Sequence, residues 1–366
     1  MSMGEDDRWM RLALALGARG LGRVWPNPAV GCVIVKAGRV LGRGWTQDGG
    51  RPHAETMALA QAGAQARGAT AYVSLEPCSH HGKTPPCADA LTRAGVARVV
   101  VALGDPDPRV SGRGLAALRD AGIQVTEGVC TQEAQRAHRG FLTRVGQGRP
   151  MLTLKLATSA DGRIATASGE SQWITGPRAR AWVHGMRACH DAVLVGAGTA
   201  RADDPSLTVR GLGITHQPVR IVLSRRLDLP LDSALMRSAR DIPVWLCHGP
   251  DAPAAAKTAW EAAGARLIAV TTGLGGQLDL GAVMTALGAA GLTRVFCEGG
   301  GMLAAGLLGA DLVDDLALIT AGMVLGAEGT PAIGAMGIAA LAEAPRFALT
   351  ETRALGGDVL SLWSRG

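Results

Sequence analysis

His53-Ala54-Glu55 is followed, in a chain of 366 residues, by Pro77-Cys78 and then by Cys87 within TAYVSLEPCSHHGKTPPC (70–87). These residues offer one imidazole, two thiolates and a carboxylate two positions from the imidazole. Three nitrogen and sulfur ligands with a fourth position left open is the arrangement of a catalytic zinc rather than a structural one. Zinc so held lowers the pKa of its bound water to about 7, which makes hydroxide available at neutral pH. His53, Cys78 and Cys87 are therefore the candidate ligands. Glu55 is the candidate catalytic acid–base, moving protons between that water and a departing amine.

A structural zinc knuckle would need a fourth ligand. No further cysteine lies near, and His80 or His81 in that place would close the site and leave Glu55 without a reason to sit beside His53. Cys32, Cys130, Cys189, Cys247 and Cys297 are scattered singly in apolar or mixed runs and read as small buried hydrophobes.

Two cores are the natural reading of this length. Hydrophobic residues make up 47% and charged residues 19%, the balance of a globular protein rather than a disordered one. Seven cysteines, an odd number with some in metal spacing, argue for a reducing cytoplasm and against a disulfide framework. The opening MSMGEDDRWMRLALALGARG has acids where a signal peptide needs bases, and no uncharged apolar run reaches the ~18 residues of a membrane span. Net charge is +6, yet the arginines are dispersed and aromatics are only 3%, so neither a basic stripe nor a base-stacking platform for nucleic acid is present. A phosphorylated small substrate and a phosphate-bearing cofactor account for the excess equally well. Self-association is left open.

Strand and helix signals alternate to position these residues. A helix near 8–18 precedes strands at 30–35 and 40–45; a helix from about Pro52 carries His53 and Glu55 on its first turn. TAYVSLE (70–76) and VARVVVAL (96–103) read as strands, with a helix from about Pro86 between them and a helix, strand and closing helix after them. Thiolates and bound hydroxide suit helix N-termini, whose dipoles favour negative charge. VGQGRPML (145–152) interrupts both periodicities and marks the boundary between a domain over 1–147 and one over 148–366. Beyond it, MLTLKLATSADG, DAVLVGAG, PVRIVLS, IPVWLC, ARLIAV, RVFCEGG and LALITAG form a second strand–helix series. The fold class is α/β in both halves, with mainly parallel pairing.

EGGGMLAAGLL (298–308) joins an apolar strand to a helix pattern, so its backbone amides can approach a phosphate. The spacing is not G-x-G-x-x-G, and no acidic residue lies ~20 positions on, which disfavours a Rossmann domain. By itself the glycine run is compatible with a plain tight turn. Arg225-Arg226 after PVRIVLS would suit the 2′-phosphate of NADP, although solvated surface arginines are the commoner explanation of such a pair. Lys155 is read as a donor of a hydrogen bond or proton near a reacting carbon.

The pattern His-x-Glu with Pro-Cys-x-x-Cys is the signature of zinc nucleobase deaminases; here eight residues rather than two separate the cysteines. With PNPAVG (26–31) and DPDPRVSGRG (105–114), the segment EPCSHHGKTPPC resembles the deaminase half of the bifunctional riboflavin-biosynthesis deaminase/reductases. KLATSADG (155–162), SGESQWITG (168–176), ADDPSLTVR (202–210) and EGGGMLAAGLL resemble its reductase half, in the same order. The resemblance implies a cytidine-deaminase-like three-layer domain followed by a dihydrofolate-reductase-like domain. It implies one zinc per chain, NADPH, and hydrolytic deamination of a ribosylamino-pyrimidinone phosphate followed by reduction of the ribosyl group. It places a pyrimidine contact at Asn27. It places reductase substrate contacts at Ser171, Arg187, Leu207, Arg210 and Glu298, where the two arginines suit a ribose phosphate. Cofactor contacts fall on Ala157, Trp173, Thr199, Asp203 and Ser224, and on the backbone of Gly300, Gly301, Met302, Leu303, Ala304, Ala305 and Gly306. A core position for Trp173 and a simple turn at Asp203-Asp204-Pro205 are the plainer readings of those residues. Thr46 stands where the family often has histidine, and Asp107 where it usually has asparagine, so recognition of the ribose phosphate shifts to other groups such as Lys83. A deaminase acting on tRNA or a free nucleobase would share the zinc motif but leave the second half unexplained. A regulator that binds without turnover is disfavoured by the intact Glu55.

Overall fold

The computed structural model describes residues 3–79, 85–107, 110–273 and 275–365. Its contacts divide the chain into two compact units, Met1–Gly148 and Arg149–Gly366. Lys83, His80 and His81 lie outside the described residues. No helix among the described residues is long and apolar enough to cross a membrane.

The first unit contains helices α1 (Met3–Gly17), α2 (Ala54–Ala62), α3 (Cys87–Ala94), α4 (Arg113–Asp120) and α5 (Thr131–Gln147). Its strands are β1 (Gly31–Lys36), β2 (Arg39–Trp45), β3 (Thr70–Val73), β4 (Arg98–Val101) and β5 (Gln124–Glu127), in the order β2-β1-β3-β4-β5. β1 runs antiparallel to β2 and β3, whereas β3, β4 and β5 are parallel. Strand periodicity explains the layers. Cys32 and Ile34 of β1 pack in one core with Ala54 and Ala58 of α2 and Leu91 of α3. Val33 and Val35 face the other core, with Trp9, Met10 and Ala13 of α1. Asp6, on the buried face of α1, accepts from Tyr72 at 2.8 Å and from Arg98 at 2.8 and 3.0 Å, so its charge is paired where it is buried. α5 ends on Gly148, whose φ of 71° is the left-handed conformation that closes a helix.

The second unit holds β6 (Met151–Thr158), β7 (Arg163–Ala165), β8 (Ala192–Gly196), β9 (Val219–Leu223), β10 (Val244–His248) and β11 (Arg266–Ala269). It continues with β12 (Arg294–Cys297), β13 (Asp315–Ala321), β14 (Thr330–Pro331), β15 (Ala348–Leu355) and β16 (Asp358–Ser364). Its helices are α6 (Pro177–Ala188), α7 (Ala197–Asp203), α8 (Ala234–Arg237), α9 (Ala254–Ala262), α10 (Leu280–Ala289) and α11 (Gly301–Gly309). Nine strands form one sheet, β11-β10-β9-β8-β12-β6-β13-β16-β15, and β7 pairs with β14. The first seven strands of that sheet are parallel; β16 and β15 add an antiparallel edge. That edge hairpin, absent from the sequence reading, turns at Gly356-Gly357 with Leu355 opposite Asp358, the two-residue glycine turn that joins antiparallel strands.

The helix near 8–18 starts earlier, at Met3, and the strand over TAYVSLE stops at Val73, because Ser74–Cys78 leaves the sheet to reach the site. Cys32, Cys247 and Cys297 are buried as expected, but Cys189 is exposed and Cys130 only half-buried.

Candidate active sites

α2 is seated by glycine. A side chain at Gly44 would come within 2.3 Å of the Ala54 carbonyl oxygen, and one at Gly42 within 2.1 Å of that of Ala58. Only bare backbone on β2 lets the helix lie this close. The seat fixes His53, which precedes α2 in extended conformation, and Glu55, which is buried on its first turn. Cys87 opens α3, and Cys78 follows the end of β3. His53 Nδ1 lies 3.3 Å from Cys87 Sγ and 3.6 Å from Cys78 Sγ, and the three ligand atoms fall within 4.8 Å of one another. Zinc bonds of about 2.0–2.3 Å in a tetrahedron separate their ligands by roughly 3.5 Å, so the cluster fits the ion.

The two thiols share one proton in the metal-free cluster. A hydrogen bond from the Cys87 thiol, with others from His53 and the Cys87 backbone N–H at 3.4 Å, holds the Cys78 thiol down at about 4. Cys87 is pushed up as the donor of that shared proton, and burial adds to the rise. Burial, then the neighbouring Cys78 thiolate, raises the Glu55 carboxyl to about 6, in the range a proton shuttle needs.

Asn27 is held against Gly50, where a side chain would come within 2.0 Å of Asn27 Nδ2 and φ is +85°. Thr46 is buried: its hydroxyl accepts from Val30 N at 3.0 Å and donates to the Pro28 carbonyl at 3.1 Å. The residue replacing the family's histidine thus braces the loop that carries Asn27. Asp107 N donates to Asp105 Oδ1 at 2.9 Å.

In the second unit the candidate residues gather where parallel strands end, the edge at which open α/β sheets bind ligands. Lys155 and Ala157 lie on β6, Thr199 and Asp203 on α7 after β8, Ser224 after β9, and Glu298 after β12. Gly300 precedes α11 at φ +80°, and a side chain there would sit 3.1 Å from Thr199 Oγ1. Along α11 the backbone of Gly301–Gly306 starts at that edge; Ala304 and Ala305 point into the core and Met302 is exposed. Ser224 is buried and donates to Asp228 at 2.8 Å.

Arg187 grips Glu298 through two hydrogen bonds, 2.5 and 2.9 Å, and donates to the Thr208 carbonyl at 2.8 Å. Burial alone would raise the Glu298 carboxyl, but the Arg187 charge and hydrogen bonds, with Lys155, hold it low. Loss of solvent pushes the Lys155 ammonium down against the pull of Glu298. Leu207 sends its side chain into the core with φ +53°, leaving only its backbone for a ligand. Arg210 is exposed on the same loop, and Ser171 is half-buried. Trp173 is 64% exposed, with the Arg180 guanidinium 4.6 Å over its ring, and is no core aromatic. Sequence reading missed Asp358, which accepts from Gly176 N at 2.7 Å and so pins the start of α6, just after the loop carrying Ser171 and Trp173, to the start of β16. Its signal lies 182 positions away, beyond any local pattern.

Residues 3–103 match the cytidine and deoxycytidylate deaminase zinc-binding region, and residues 150–361 match the RibD C-terminal domain. The chain is 44% identical to the riboflavin biosynthesis protein RibD of Escherichia coli strain K12, over 97% of this chain and 98% of that protein. It is 39% identical to RibD of Aquifex aeolicus, over 98% of each. Among solved structures it is similar to Acinetobacter baumannii RibD, with a TM-score of 0.89 and 38% identity over 99% of each chain. A Thermotoga maritima diaminohydroxyphosphoribosylaminopyrimidine deaminase/5-amino-6-(5-phosphoribosylamino)uracil reductase gives 0.85 and 32%, again over 99% of each.

Proposed function

The chain belongs to the RibD family of bifunctional riboflavin-biosynthesis enzymes, and from that premise we propose how its residues divide two successive reactions. It is a zinc-dependent deaminase and a reductase in one polypeptide. Residues 1–147 are assigned the hydrolysis of the ring amine of 2,5-diamino-6-ribosylamino-4(3H)-pyrimidinone 5′-phosphate. Residues 148–366 are assigned the NADPH-dependent reduction that gives 5-amino-6-(5-phosphoribitylamino)uracil. A reducing cytosol is the proposed compartment, supported by seven cysteines that are all free.

When bound, zinc supplies a water that ionises near neutral pH, and NADPH supplies the hydride that no side chain can furnish. His53, Cys78 and Cys87 hold the ion. Glu55 would take one proton from the water and give it to the ring nitrogen as the oxygen adds to the amine-bearing carbon; it would then take the second proton from the added hydroxyl and give it to the amine, and the carbon–nitrogen bond breaks to release ammonia. Asn27 orients the pyrimidine. In the second site Arg210 and the N–H groups of Arg187 left over from Glu298 and Thr208 would hold the phosphate, with Ser171 and the Leu207 backbone beside them. Glu298 keeps Arg187 in place, and Lys155 delivers a hydrogen bond or proton beside the carbon that accepts the hydride. Thr199, Ser224 and the backbone of Gly300–Gly306 would hold the cofactor, together with Ala157, Trp173 and Asp203.

The observation that carries this reading is the convergence of three ligand atoms within 4.8 Å beside a buried carboxyl two residues from one of them. Glu55→Gln tests it. The variant should keep zinc and lose deamination by about 10³-fold or more, because general acid–base work contributes ~10²–10⁴ and the same residue acts twice. NADPH-dependent reduction of the deaminated intermediate should persist; a parallel fall of both activities would contradict the assignment.

A further inference from the structure

Glu76 lies two residues before Cys78 and is buried, yet it is not one of the clustered ligands, and its carboxylate pairs with no cation among the described residues. It accepts four backbone N–H groups instead. Oε2 takes those of Asp105 at 3.2 Å and Gly112 at 3.0 Å; Oε1 takes those of Gly114 at 2.9 Å and Leu115 at 3.4 Å. Gly112 to Leu115 begin α4, so the carboxylate caps a helix from a distant strand end and meets the positive end of its dipole. Asp105 lies on the far side of the same turn. One side chain thus ties both arms of that turn, Asp105–Asp107 and Val110–Gly112.

The turn lies beside the metal-binding segment for a topological reason. β3 and β4 are parallel neighbours, with Val73 opposite Val101, and both segments leave the same strand-end edge. Glu76 N donates to the Leu103 carbonyl at 2.9 Å, so the segments stay paired beyond the sheet. Farther on, α4 crosses the Pro77 carbonyl so closely that a side chain at Gly114 would come within 2.0 Å of its oxygen. The strand-end edge is where open α/β sheets bind ligands.

We propose that Glu76 is a positioning residue of the deaminase site: it locks Asp105–Asp107 and Val110–Gly112 against the Cys78 segment so that these two arms form a wall of the pyrimidine-binding pocket. The proposal rests on the deaminase reading above. Glu76 touches no reacting atom, so its removal loosens substrate binding and leaves the acid–base step intact.

Glu76→Gln is the test, in the full-length zinc enzyme. The amide keeps the shape but turns N–H groups toward backbone donors, leaving buried groups unsatisfied. Deaminase KM should rise about tenfold or more while kcat stays within ~threefold, the pattern of lost uniform binding. Zinc should remain at the wild-type amount, NADPH-dependent reduction should be unchanged, and trypsin should cut after Arg113 faster than in wild type. An unchanged KM, or a fall in kcat at constant KM, overturns the proposal. Should the glutamine variant fail to fold, Glu76→Asp decides by the same KM and kcat criteria, since it keeps the charge and shortens the reach. Wild-type enzyme that does not deaminate the substrate would refute the underlying reading instead, before any variant is compared.

Discussion

Arg226, and not its neighbour Arg225, should set the preference for NADPH over NADH. The sequence offers both guanidiniums equally, and the structure separates them. Arg225 donates to the Gly276 carbonyl at 2.7 Å and pairs with Asp251 at 3.7 Å. Its stem packs over Gly249, where a side chain would come within 2.9 Å of Arg225 Cγ. Arg226 follows it exposed at the strand-end edge, one residue further from Ser224. A charge-assisted hydrogen bond contributes about 1.5–3 kcal/mol, and an exposed guanidinium realises the lower part of that range. Arg226→Ala should therefore weaken NADPH by roughly tenfold to thirtyfold, at 1.4 kcal/mol per decade, and leave NADH nearly unchanged. Arg225→Ala should instead lower thermal stability and affect both cofactors alike. Titration of each cofactor against wild type and the two variants at fixed salt measures this. If Arg226→Ala loses nothing while Arg225→Ala loses NADPH selectively, the separation drawn from the hydrogen bonds is wrong.

Cys87→Ser should bind less than one zinc per chain by metal analysis while keeping NADPH-dependent reduction; a full complement would remove Cys87 from the ligand set. Asp6→Asn should destabilise the first unit by on the order of 3 kcal/mol at pH 7, because it strands the Arg98 guanidinium in a mostly buried site. Burial alone would raise the Asp6 carboxyl, but Arg98 and Tyr72 hold it below its ordinary value. A lowered carboxyl stabilises above its unfolded value near 4 and loses that contribution as pH falls through the folded value. The melting-temperature gap between wild type and variant should therefore close below about pH 4, and a gap independent of pH would contradict this pairing.

The His53, Cys78 and Cys87 cluster was legible because its chemistry is encoded in types and spacing: His53 and Cys87 stand at helix starts, and Cys78 on the segment that leaves the sheet after β3. The parallel strands were legible as continuous apolar runs such as VLV in β8 and VFC in β12. Long-range partnerships were not. Nothing local to Glu76 announces that its carboxylate caps a helix nearly forty positions on. Nor does Asp358 announce Gly176, or Arg187 its clamp on Glu298. The role of Thr46 was hidden for a related reason, since whether a hydroxyl faces a ligand or its own loop is decided by the backbone folded around it. The C-terminal hairpin did leave a signal, Gly356-Gly357 between alternating runs, which the reading passed over.

The most direct measurement is the mass of the product formed from 2,5-diamino-6-ribosylamino-4(3H)-pyrimidinone 5′-phosphate by the zinc-loaded full-length chain, with and without NADPH. Without NADPH, the account predicts a product in which oxygen replaces the ring amine, with an equal amount of ammonia released. With NADPH, it predicts a product heavier by a hydride and a proton, and matching oxidation of the cofactor. Cofactor oxidation without ammonia release, or unchanged substrate in both vessels, would contradict the assignment of two sequential activities to this chain.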